Sequence, residues 1–117
     1  MYLTLRERRK KMKLMTKAIE KKAQAQYPQG SDFSQIVVAK FFDPCGSLSW
    51  YVVNQDPSDP DYLWGIVKGH AVESGSFSLS ELQAFKGRFG IGIERDCYFT
   101  PIRADVLWDK LQNGHHV

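Results

Sequence analysis

The segment Ile36–Gln55, IVVAKFFDPCGSLSWYVVNQ, constrains the fold of this chain more than any other stretch. Ile36–Phe42 is β-branched or aromatic at every position except Ala39 and Lys40, and Leu48–Gln55 is nearly as apolar. Runs of that kind form strands with at least one well-buried face. Between them, Asp43-Pro44-Cys45-Gly46-Ser47 carries the chemistry of a reversal, because Pro44 fixes φ and Gly46 tolerates φ > 0. The two runs therefore predict an antiparallel hairpin. A lone hairpin is not stable in water, so other segments must cover it.

Local signals elsewhere supply that cover. Residues 3–26 lack Gly and Pro and are rich in Lys, Arg, Ala, Met and Gln, with Leu5, Met12, Met15, Ile19 and Ala23 on one side at helical spacing. Thr16 is a plain N-cap, and Pro28 and Gly30 stop the run, so a helix is expected over Lys17–Gln26, with Met1–Lys13 as its extension or a frayed tail. Tyr62–Lys68 predicts a third strand, in which Gly65 marks a bulge or a close backbone approach. Lys68–Ser76 reads as a loop. Ser78-Leu79-Ser80-Glu81 matches a capping box, flanked by Phe77 and Leu82 at the staple positions, and predicts a short helix from Leu79 to Phe85 or Lys86. Ile93–Phe99 reads as a last strand, and Ala104, Val106, Leu107 and Leu111 predict a closing helix over 104–112.

Charge is unevenly placed. Of the 16 Lys and Arg, nine fall in residues 1–27 against Glu7 and Glu20, so that segment carries +7 while the remainder sums to −4. The basic character belongs to the leader and the body is mildly acidic. No apolar run approaches a bilayer span, and no apolar h-region follows the basic start, so no secretory signal is read and a cytoplasmic protein is expected. Two cysteines, Cys45 and Cys97, are too few for a disulfide framework or a zinc site and read as reduced thiols.

The residues that could carry chemistry are few. Asp56-Pro57-Ser58-Asp59-Pro60-Asp61 groups carboxylates at a turn but lacks the Gly and the bidentate Glu of a calcium loop, and His115-His116 lacks a third ligand, so neither a metal nor another cofactor is expected. Gly87–Gly92, GRFGIG, has the wrong glycine order for a phosphate loop. Strand alternation places Glu94 and Asp96 on one face as a conceivable acid/base pair, with Arg95 on the other among apolar neighbours. A buried Arg95 would require a carboxylate, which Asp56, Glu81 or Asp105 could supply. Lys40 reads as a lysine that snorkels at a strand edge. For binding, the basic residues Arg8, Arg9, Lys10, Lys11 and Lys13 offer electrostatic attraction, and Tyr51, Tyr62, Trp64 and Tyr98 are candidates for displayed rings.

Five segments in order, LMTKAIEKK (Leu14–Lys22), VAKFF (Val38–Phe42), WYV at Trp50–Val52 with Asp56-Pro57, GSFSLSEL (Gly75–Leu82) and GIERDCYF (Gly92–Phe99), together resemble the bacterial domain-of-unknown-function family 2958. Its members are small proteins met on plasmids and other mobile elements. The resemblance runs from Leu14 to Ile102 and implies one domain and no established activity. It also implies a Thr-Glu pair after the WYV segment, where this chain has Val53-Asn54, so a catalytic glutamate at that place would be missing.

These readings converge on a single α+β domain over residues 14–112, preceded by a basic leader (1–13) for which disorder is one option and followed by a disordered tail (113–117). A mainly antiparallel sheet of four or five strands is expected, with three helices covering one face. The functional expectation is a non-enzymatic binding module that contacts a protein or a nucleic acid, with self-association through an uncovered strand edge as a further option. The alternative is a small hydrolase-type enzyme that uses Glu94, Arg95 and Asp96, with Asp56.

Overall fold

A computed structural model of the chain describes residues 13–117. Helix α1 (Lys17–Gln26) starts where Thr16, in extended conformation, accepts a hydrogen bond from the Ile19 amide at 3.2 Å. That bond satisfies one of the amides that a helix start leaves orphaned. The helix ends in a single 3-10 turn over Tyr27–Gln29, which contains Pro28.

The hairpin is present, but its first run breaks at Val38 into β1 (Ile36–Val37) and β2 (Ala39–Phe42). Strands β2, β3 (Ser49–Asp56), β4 (Asp59–Lys68), β5 (Val72–Ser78) and β6 (Glu94–Arg95) form an antiparallel sheet in the order β5-β4-β3-β2-β6. β1 pairs instead with β7 (Ile102–Arg103), immediately before helix α3 (Ala104–Gln112). The short helix α2 (Leu79–Ala84) starts at Ser78, whose hydroxyl accepts from the Glu81 amide at 3.2 Å. It stops one to two residues earlier than its sequence predicts, because Phe85 already has extended ψ.

Three features differ from the sequence reading. The helices cover both faces of the sheet. Along β3, Trp50 and Val52 join one apolar cluster, with Ala23, Phe41, Leu63 and Leu82, under α1 and α2. Tyr51 and Val53 join a second, with Val37, Ile66, Leu107 and Leu111, under α3. Side chains alternate across a strand, so a continuous apolar run such as Trp50–Val53 needs cover on both sides. Secondly, residues 72–78 form the edge strand β5 and not a loop. Thirdly, the strand predicted over Ile93–Phe99 contracts to Glu94–Arg95, since the chain turns at Asp96.

Side chains repair the backbone where β1 parts from β2. The Gln26 amide donates to the carbonyls of Ile36 and Val53, each at 2.8 Å, and its oxygen accepts from the Ile36 amide at 2.8 Å. Asn54, buried, donates to Gly30 O and to Gln35 Oε1, and Gln35 in turn donates to the carbonyls of Gly30 and Asp32. These bonds keep polar groups satisfied inside a layer that would otherwise exclude them.

Candidate functional site

The sheet ends on one side in β6, and the turn that follows it forms the most feature-rich part of the surface. The Asp96 amide donates to Lys40 O at 2.9 Å, and its carboxylate accepts from the Tyr98 amide at 2.9 Å, an Asx turn that reverses the chain. Arg95, Asp96, Cys97 and Phe99 from this turn, Thr16 and Ile19 from the start of α1, and Val38 and Ala39 from the strand break line an open cavity of about 230 Å³. Arg95 donates to the backbone carbonyls of Lys13 and Leu14, and so ties the entry of α1 to the edge of the sheet. Its partners are main-chain oxygens and not the carboxylate that its apolar neighbours suggested.

Two of the four residues of the hydrolytic alternative, Arg95 and Asp96, meet in this cavity; Glu94 and Asp56 do not line it. Asp56 lies at the far end of β3, five residues beyond Tyr51, or about 16 Å at the rise of a strand. There it accepts from Tyr27 Oη at 3.2 Å and from the Ser58 amide at 2.8 Å. Asp61, at that same turn, is held below the usual carboxylate range by the Ser78 hydroxyl first, then by the Ser80 amide and hydroxyl. The four residues therefore do not converge on one point.

The aromatic candidates separate in the same way. Tyr51 is 1% exposed and belongs to the second core cluster, so it has no ring to display. Its hydroxyl donates to Val117 O at 3.0 Å, as does Lys40 Nζ at 2.7 Å, and these bonds hold Val117 against the sheet. Trp64 is half-buried, edge-on to Phe33 at 6.0 Å between centroids. Tyr62 is exposed. Tyr98 is 95% exposed, at the tip of the Asx turn. One ring escaped the sequence reading: Phe89, 86% exposed in the Gly87–Gly92 loop. Its signal was present in Arg88-Phe89-Gly90-Ile91, a turn sequence with a large apolar residue at its tip.

Burial raises the pKa of Tyr51 above 10.0; a hydrogen bond with Ser49 opposes this and the Asp96 charge adds to it. The folded state therefore holds this proton more tightly than the unfolded state. Its contribution to stability is complete below about pH 10 and is lost as pH rises through the folded pKa. Tyr51→Phe is expected to be less stable at neutral pH, through loss of the Val117 bond, yet to show a shallower decline as pH rises above about 10. Urea midpoints across that range check this; alkaline declines that run parallel in the two proteins would contradict it.

Of the basic residues picked out in the leader, Arg8, Arg9, Lys10 and Lys11 lie outside the described residues. Lys13 is exposed, as are Lys17, Lys21 and Lys22 on the outer surface of α1. Lys17 and Lys21, four apart, stack on the face opposite Ala23. The ion pair between Arg103 and Asp105, at 2.8 Å, involves none of these four lysines. The start of α1 adjoins the turn after β6, because Thr16 and Ile19 share the cavity with Asp96 and Cys97. No helix among the described residues is long and apolar enough to cross a membrane.

No curated protein and no solved structure matches the chain. The profile of a family described as "Protein of unknown function (DUF2958)" matches residues 5–113. That span is nearly the whole chain, and the protein belongs to this family, as its five ordered motifs implied.

Proposed function

We propose that this protein is a non-enzymatic accessory module of a bacterial mobile element, acting in the cytoplasm by binding nucleic acid along the outer surface of α1. The observation that supports this reading is the row Lys13, Lys17, Lys21 and Lys22: four exposed cations within ten residues, on a domain whose residues beyond 27 sum to −4. A cluster of that density on an acidic body repels itself and is relieved by a polyanion. Only Glu20 lies among these lysines, half-buried at the base of the helix.

Binding by such a surface releases counterions, so affinity must fall steeply with salt. Labelled oligonucleotides titrated across a salt series are expected to bind the full chain at low ionic strength. The triple variant Lys17→Gln, Lys21→Gln, Lys22→Gln is expected to reduce the log–log salt slope by roughly 2, at about 0.7 per lost single-strand phosphate contact. Unchanged slope and affinity in the triple variant would remove α1 from the interface. Absence of any binding at about 50 mM salt would overturn the nucleic-acid reading and leave an acidic protein surface as the partner to seek.

A further inference from the structure

We infer that Phe89 and Tyr98 form a two-ring platform on which bases of single-stranded nucleic acid stack; this deepens the nucleic-acid reading above and rests on it. The Phe89 backbone lies at φ 62, ψ 19, and Gly90 follows at φ 69. The Ile91 amide donates to Arg88 O at 3.3 Å across the pair. Positive φ at both central residues defines a type I′ turn, whose first central position favours Asn, Asp or Gly. Phe89 is the one described residue other than glycine with positive φ. A large ring there costs backbone energy and, at 86% exposure, recovers almost none of it by packing. Such an outlier points to a role outside the fold.

Tyr98 is presented on equally firm footing. The Asp96 carboxylate accepts from its amide, and the Phe99 amide closes the turn on Asp96 O at 3.3 Å. Both rings thus sit on hydrogen-bonded turns, and both turns belong to the β6 edge of the sheet. β6 runs antiparallel to β2, with Glu94 opposite Phe42 and Arg95 opposite Phe41. The Phe89 turn precedes β6 and abuts Asp43 through Gly87; the Tyr98 turn follows it, at Lys40. The chain between these anchors, from Lys40 in β2 to Asp43 just beyond its end, corresponds to about 10 Å at the rise of a strand. Exposed Lys86 and Arg88 flank the first ring in sequence, and the second follows Arg95, which holds the main chain of exposed Lys13 at the entry to α1. Aromatic faces interleaved with cations along one edge suit a single strand, whose bases are unstacked and whose phosphates follow the charges. A duplex keeps its bases inside and offers those rings only its ends.

The test compares a labelled single-stranded oligonucleotide of roughly 12 nucleotides with the matching duplex. The variants are Phe89→Asn, Tyr98→Ser and Tyr98→Phe in the full chain. Phe89→Asn suits the I′ turn better than the native residue, so its melting temperature is expected to hold or rise, which separates binding from folding. Phe89→Asn and Tyr98→Ser are each expected to weaken single-strand binding about tenfold, with duplex binding and the salt slope unchanged, while Tyr98→Phe binds as wild type. If both ring variants keep full single-strand affinity while the lysine variant loses it, the platform is wrong and the basic surface stands. If neither the single strand nor the duplex binds the wild type, both readings fall.

Discussion

Gly65→Ala is expected to destabilise this protein by about 3–5 kcal/mol. Gly65 lies in β4 opposite Val52 of the central strand, next to the register shift between Val52 and Asn54. A Cβ built there would sit 1.8 Å from the Tyr51 carbonyl oxygen, 2.9 Å from its carbon and 3.1 Å from the Val53 amide nitrogen. All three are backbone atoms of β3, which lies between β4 and β2 and is covered on both faces, so no side chain can swing aside to make room. Relief requires β3 and β4 to part, which costs ladder hydrogen bonds and packing in both apolar clusters. Urea unfolding measures the loss directly. A change below about 1 kcal/mol would show that the two strands do not approach as described.

Leu107→Ala is expected to cost about 3 kcal/mol with an unchanged dependence on urea. Leu107 is fully buried in α3, within the cluster that holds Val37, Tyr51, Val53 and Ile66. Its truncation leaves a hole between a helix and a sheet that collapse only partly around it. The neighbouring Val106, 42% exposed, serves as the control, and Val106→Ala is expected to change stability by less than about 0.5 kcal/mol. The contrast between adjacent positions tests the two-sided cover of the sheet. Equal, small effects at both would mean that α3 does not seal the second face.

Elements whose signals are local could be read from the sequence alone. Thr16 and Ser78 start their helices as caps, Pro28 ends the first, and Gly65 marks the close approach that its position in a strand suggested. Where tertiary context decides, the sequence was less informative. β5 (Val72–Ser78) has Glu73, Ser74, Gly75 and Ser76 at its centre, a composition that reads as loop. It becomes a strand because its seven residues pair in unbroken register with β4. Two-sided cover was hinted at by the uninterrupted Trp50–Val53, but an apolar run alone does not say which helix covers which side.

The candidate site was legible only in part, for the same reason. Tyr98 and Lys13 are exposed, whereas Tyr51 is core because the register of β3 turns its ring under α3. Arg95 found main-chain carbonyls, since the entry to α1 passes over it, a contact of more than 80 residues in separation that no local pattern encodes. Phe89 was overlooked because its significance lies in a backbone angle: an aromatic residue in a glycine-rich loop is unremarkable until φ is known to be positive.

The central claim, a nucleic-acid surface running from the outer face of α1 to the β6 edge, is tested most directly by mapping. Backbone amide chemical shifts of the labelled full chain, recorded while a short single-stranded oligonucleotide is added at low salt, report which residues meet it. Shifts are expected to concentrate at Lys13–Lys22, Arg88–Gly90 and Cys97–Phe99, with the β3–β4 turn at Asp56–Asp61 silent. Shifts confined to the acidic turn or to the open edge of β5, or no shifts at all, would contradict it.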